Sequence, residues 1–184
     1  MTFIRTVPPE KAEGRLKEVY DKVAGKRGAV ANVMQVQSLL PETMASHLDM
    51  YMDIMYGKGP LSRLEREAIA VAVSAANDCR YCVSHHSDAL NKYMKDGEAT
   101  RRVAQDFRAS GLDKAQVALC EHAVKLTRAP ASITQEDIQC LRDLGWDDAA
   151  ILHCNLVAAY FNFVNRSVLG AGVELETEKA EYKY

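Results

Sequence analysis

Residues 67–86 read EAIAVAVSAANDCRYCVSHH. The run Ala68–Ala76 is apolar all round, as a helix at the inside of a bundle should be. Asn77-Asp78 interrupts it, and a second helix is expected from about Cys79 to Met94. So short a connection favours antiparallel neighbours. The predicted hairpin, 62–76 followed by 79–94, makes the fold all-α and puts two cysteines at the start of its second helix.

Reading outward from the hairpin, Ser62 and Glu65 have the spacing of a capping box, in which hydroxyl and carboxylate satisfy orphan backbone donors. Before it, Gly57-Lys58-Gly59-Pro60 is the clearest boundary in the chain. Pro41 suits the first position of a helix running to about Tyr56, and Lys11–Val23 carries apolar residues at helical spacing. After Asp96-Gly97, further helices are expected at roughly 98–108, 113–128, 134–144 and 147–168. No run alternates with a period of two. The expected organisation is an N-terminal helical arm over 1–60, a core over 61–172, and a charged tail over 173–184 that frays or packs on a partner subunit.

With 184 residues the chain is long enough to bury a core without staples. Its apolar fraction of 48%, charged fraction of 26% and net charge of −2 describe an ordinary soluble domain. No basic block points to nucleic acid or an anionic membrane surface. No apolar run has the length of a signal peptide or a membrane span, so a cytoplasmic location is expected. Five cysteines without a secretory signal argue against a disulfide framework.

Chemistry concentrates in the opening stretch. Cysteines three apart in a first helical turn have Cα atoms roughly 5–6 Å apart, close enough to be bridged. Backbone N–H groups and the positive end of the helix dipole favour a thiolate there. His86 lies four residues after Cys82, and at 100° per residue Cys79, Cys82 and His86 fall within an arc of about 60°. An imidazole beside a thiol can take its proton. Folding the hairpin back sets Glu67 opposite roughly 86–88, within reach of His86 directly or through a water, where a carboxylate can orient the ring, raise its basicity and complete a proton relay. Tyr81 and His85 are candidates for a supporting role.

Glu67, eleven intervening residues, Cys79-x-x-Cys82, three more residues and His86 form a pattern that resembles the active site of alkylhydroperoxidase D proteins, in the carboxymuconolactone decarboxylase-like superfamily. Leu61–Glu67, Tyr81–His86, Gly145–Leu152 and Phe161–Arg166 look like its peroxidase-related branch, and the resemblance covers roughly residues 10–172. It implies an all-α fold that assembles into homo-oligomers, often trimers or hexamers, and a thiol-dependent reduction of hydroperoxides. By that likeness Cys82 attacks the peroxide, Cys79 resolves the sulfenic acid as a disulfide, and a lipoyl or thioredoxin-like dithiol reduces it. His86 and Glu67 match the family's proton relay, and the redox-active disulfide replaces any other cofactor. In one departure, Tyr81 stands where the well-characterised members carry a histidine; tyrosine is a poor base near neutral pH.

Other readings of the same residues are a structural or metal-binding oligomeric module and a redox sensor with little turnover. Zinc needs four ligands, and only Cys79, Cys82 and His86 share a helix face, with His122, Cys120 or His153 as remote candidates for the fourth. Cys120, Cys140 and Cys154 are expected to be buried and inert, and His47, His122 and His153 to be hydrogen-bonded structural histidines. Met44, Met50, Met52 and Met55, with Tyr51 and Tyr56, suit a core or subunit interface. Asn162 and Asn165 are expected as hydrogen-bonded interior amides.

Overall fold

A computed structural model describes residues 2–176, and every regular element among them is a helix. In chain order these are α1 (Gly14–Arg27), α2 (Asn32–Gln35), α3 (Pro41–Tyr56), α4 (Arg63–Ala76), α5 (Arg80–Met94), α6 (Gly97–Asp106), α7 (Lys114–Arg128), α8 (Gln135–Asp143) and α9 (Asp148–Ala171). Among the described residues no helix is long and apolar enough to cross a membrane.

The chain forms two compact units, one made of the residues up to Asp53 with those from Arg166 onward, the other of Ile54–Asn165. In the first, Val19, Tyr20 and Val23 of α1 pack with Met34 of α2 and Met44, Ala45 and Leu48 of α3. The Tyr20 hydroxyl donates to the Val7 carbonyl at 2.7 Å, and the Val7 amide donates to Ser38 Oγ at 2.9 Å. Asn32 holds the segment 174–176, donating to the Glu176 carboxylate at 2.9 Å and the Glu174 carbonyl at 3.0 Å. The rest of the expected charged tail, 177–184, lies outside the described residues.

The second unit is built around α4, which packs against α5, α6 and α7. Its N-terminus has the expected capping box: Ser62 Oγ accepts from the Glu65 amide, and the Glu65 carboxylate accepts from the Ser62 amide at 2.6 Å. Every residue from Arg66 to Ser74 is buried. The division at 53/54 falls ahead of the glycine–proline segment singled out in the sequence. The reason is local: Arg66 donates to the carbonyls of Leu61 at 2.9 Å and Gly57 at 2.8 Å, and His153 Nε2 contacts that of Ile54 at 2.9 Å. Those bonds fasten 54–61 to the second unit.

The turn between α4 and α5 takes three residues. Cys79 N–H donates to the Ser74 carbonyl at 2.9 Å, and Asp78 adopts a left-handed φ of +54°. Cys79 rather than Asn77 or Asp78 is the N-cap of α5. With 74 beside 79 and 67 beside 86, the two helices run antiparallel.

Two expectations need correction or refinement. Cys140 is exposed, because α8 is a short helix with only Leu141 buried. His47 and His122 are buried and paired with Gln37 and Asn155, both at 2.7 Å, but His122 keeps a buried Nδ1 with no hydrogen-bond partner.

Candidate functional site

The antiparallel register brings Glu67 of α4 to His86 of α5, with Oε2 2.6 Å from Nδ1. The Glu67 side chain is completely buried. Its other oxygen accepts from Arg63, one turn earlier on α4. The Arg63 guanidinium lies 3.8 Å over the Tyr56 ring, so the cation is flanked by an aromatic face and a carboxylate. Burial alone would push the Glu67 carboxyl up, but the hydrogen bond and charge of His86, with those of Arg63, hold it below its ordinary value. The carboxylate is thus ionised and fixed. It accepts from the Nδ1–H of His86, which fixes the orientation of the imidazole. Phe161 of α9 meets the imidazole edge-on, with ring centres 4.6 Å apart.

Cys79 and Cys82 are free thiols at the N-cap and the third position of α5. Cys79 has no exposed surface and Cys82 retains 3%. The Cys79 thiol is lowered to about 7, first because the Cys82 S–H donates to it, against the penalty of burial. The N–H groups of Cys82 and Tyr81 and the Asn165 amide add to the effect. Neither N–H closes a full capping hydrogen bond, and both act as oriented dipoles at the helix start. Cys82 moves the opposite way, raised by its hydrogen bond to Cys79, by burial and by the charge that Cys79 would carry. The dithiol therefore gives up one proton easily and shares the other.

Polar side chains back this pair from α4 and α9. Asn165 is fully buried, donates to Ser74 Oγ at 3.1 Å and accepts from Asn77 Nδ2 at 3.0 Å. Asn162 accepts from Asn77 at 3.1 Å and donates to Thr127 Oγ1 at 2.9 Å.

Of the residues singled out in the sequence, Glu67 and His86 are in direct contact, Cys79 and Cys82 share the first turn of α5, and His86 stands one turn beyond Cys82. Tyr81 and His85 pack on each other with ring centres 4.5 Å apart. Arg63 was missed, although it lies four residues before Glu67, the spacing that pairs charges on a helix. Asn77 was read only as a helix breaker and a possible cap of the next helix. Among the described residues no three His, Cys, Asp or Glu side chains are grouped so as to hold a metal ion.

The family model of the carboxymuconolactone decarboxylase family matches residues 41–129. A peroxidase-related protein from Silicibacter sp. TM1040 is 30% identical and superimposes with a TM-score of 0.81 over 95% of this chain and 88% of its own. A second peroxidase-related protein, described as an alkylhydroperoxidase AhpD core and coming from Ralstonia eutropha JMP134, is 26% identical with a TM-score of 0.87 over 96% of this chain and 93% of its own. Sestrin-3 of Mus musculus is 26% identical over 160 residues, 82% of this chain, and the chain spans 30% of that protein's length. With a 30% identical relative matched over nearly its whole length, this chain belongs to the carboxymuconolactone decarboxylase family, among its alkylhydroperoxidase D-like, peroxidase-related members.

Proposed function

We propose that this protein is a thiol-dependent peroxidase that reduces organic hydroperoxides through a Cys79–Cys82 dithiol/disulfide cycle, with Glu67 and His86 as its proton relay. The observation that carries the reading is the 2.6 Å contact between the buried Glu67 carboxylate and His86, one helical turn from the buried thiol of Cys82. A thiolate is the nucleophile of thiol redox chemistry, and a fixed acceptor for its proton lowers the barrier to making it.

In this reading Cys82, the residue of the pair that keeps some exposed surface, attacks the terminal oxygen of the hydroperoxide. The S–O bond forms as the O–O bond breaks, sulfur is oxidised to the sulfenic acid, and the alkoxide leaves as the alcohol with the proton returned by His86. Cys79 then attacks the Cys82 sulfur and expels water, leaving a disulfide. A dithiol partner, lipoyl or thioredoxin-like, supplies two electrons and two protons to restore the pair. The protein works as a homo-oligomer, a trimer or hexamer.

One observation favours a second reading of the same cycle: the lowered thiol is Cys79, which would make it the attacker and Cys82 the resolving group. Stopped-flow oxidation of the reduced protein by cumene hydroperoxide, with mass spectrometry of the product, tests both. The expected product has lost two hydrogens at a Cys79–Cys82 bridge and is restored by dihydrolipoamide. Cys82→Ser should abolish oxidation, and Cys79→Ser should stop at a sulfenic acid after one event. The reverse pattern would make Cys79 the attacker. Rapid oxidation without turnover would leave a redox sensor, and unreactive thiols in the folded protein would sink the peroxidase.

A further inference from the structure

The turn that delivers Cys79 is bonded on every side. The Cys79 N–H donates to the Ser74 carbonyl at 2.9 Å, and its carbonyl accepts from the Val83 amide at 3.0 Å, so its backbone is tied to α4 and α5 at once. Between them Asp78 takes a φ of +54°, a left-handed value that carries a steric cost for any residue with a Cβ. The side chain of Asn77 then fastens this turn to α9. Thr127 Oγ1 gives its proton to the Ala123 carbonyl at 2.8 Å, so it accepts from Asn162 Nδ2 at 2.9 Å. Asn165 Nδ2 donates to Ser74 Oγ at 3.1 Å. Both amides of α9 therefore turn their oxygens to Asn77, whose Nδ2 donates to Asn162 at 3.1 Å and to Asn165 at 3.0 Å. An NH2 group has two N–H bonds, one for each oxygen.

We propose that Asn77 is a positioning residue for the dithiol: by tying the α4–α5 turn to Asn162 and Asn165 of α9 it holds Cys79 within bridging reach of Cys82, and so sets how readily the pair closes to a disulfide. This deepens the dithiol reading given above and rests on it. Cys79 is the N-cap of α5, with φ −87° and ψ 85°, and the regular helix starts only at Arg80. Where Cys79 stands relative to Cys82 is thus decided by the turn as well as by the helix. A disulfide needs Cα atoms about 4.4–6.8 Å apart and converging Cβ directions. A turn free to relax its left-handed residue spends part of its time outside that window, and the effective concentration of one thiol at the other falls. Asn77 removes that freedom, because moving the turn breaks both of its hydrogen bonds to α9.

The test is the midpoint potential of the pair at neutral pH, on the full chain in a Cys140→Ser background that removes the exposed thiol. The protein is equilibrated without air in glutathione or dithiothreitol buffers of graded potential, quenched with acid and alkylated, and the Cys79–Cys82 bridge is counted by mass spectrometry. Closing the bridge passes two electrons and two protons to the oxidised buffer, so a tenfold change in the equilibrium is about 30 mV. Asn77→Ala, at a partly exposed position, should favour the open dithiol about tenfold and move the midpoint up by about 30 mV, with helical content unchanged. Ser62→Ala, which weakens α4 at its other end, should leave the midpoint where it was. A midpoint unmoved or moved down in Asn77→Ala overturns the proposal, and so does an equal shift in Ser62→Ala. If Asn77→Ala does not fold, Asn162→Ala, which removes one of the two oxygens, decides in its place. No peroxide enters this experiment. A wild-type protein that forms no Cys79–Cys82 bridge at any potential fails the dithiol reading and this role together. A bridge with one potential in wild type and Asn77→Ala keeps the dithiol and loses only the role of Asn77.

Discussion

Burial lowers His47 to about 4, and Gln37 donates to its Nδ1 at 2.7 Å, a bond that only the neutral ring accepts. Between 6.5 and 4 the unfolded chain binds a proton that the folded chain refuses, so stability falls as pH falls through that window. The loss between pH 7 and 5 should be about 2 kcal/mol, read from urea titrations at the two pH values. His47→Gln should flatten that slope, and an unchanged slope would assign it to other groups. At the candidate site, Glu67→Gln removes the charge that orients His86 and should slow thiol oxidation by about 10²-fold in stopped flow, with the dithiol intact. The Glu67–His86 contact was legible because two helices joined by a short turn leave little choice of which residues face each other. Arg63 was not, because a charge in a first helical turn looks like solvated surface until the carboxylate it pairs with is known to be buried.

At the scale of elements, the ends of α4 and the segment before it carry more than their length suggests. Ser62→Ala loses the capping box and should cost about 1 kcal/mol, measured by thermal unfolding. Gly59 is more constrained: a Cβ there would stand 2.7 Å from His153 Cε1 and 3.1 Å from Arg66 Nη2, the two side chains that hold the 54–61 segment. Gly59→Ala should therefore destabilise by about 1–3 kcal/mol, and a variant as stable as the parent would mean that His153 yields freely. The capping box and the start of α3 at Pro41 could be read from local chemistry alone. The cap of α5 could not. Asp78 is the better capping residue by type, yet closing so tight a turn sends it to a left-handed φ and passes the N-cap to Cys79.

Over the whole molecule, nothing in the residue pattern marks the boundary between units inside α3 and α9. An unbroken helical pattern carries no mark where its contacts change, whereas glycine and proline mark every loop whether or not a boundary lies there. The proposed assembly belongs to this scale. Leu152, Leu156 and Phe163 are exposed on α9 at separations of four and seven residues, which sets them on one face. Light scattering should give three or six times the 20.4 kDa chain mass, and Leu156→Glu should lower it. A monomer at micromolar concentration would remove the trimer or hexamer from the proposal.

The pairing of Arg63 with Glu67 has a consequence for how the site keeps its books of charge. Arg63 is positive and Glu67 negative, so together they add no net charge to the dithiol and His86. A proton crossing from sulfur to imidazole moves charge inside the cluster and leaves its total unchanged. On the proposed chemistry the oxidative half of the cycle also balances without solvent, since dithiol and hydroperoxide become disulfide, alcohol and water. A site whose oxidative steps draw no proton from outside can stay closed to bulk water, and its oxidation rate should be indifferent to buffer concentration.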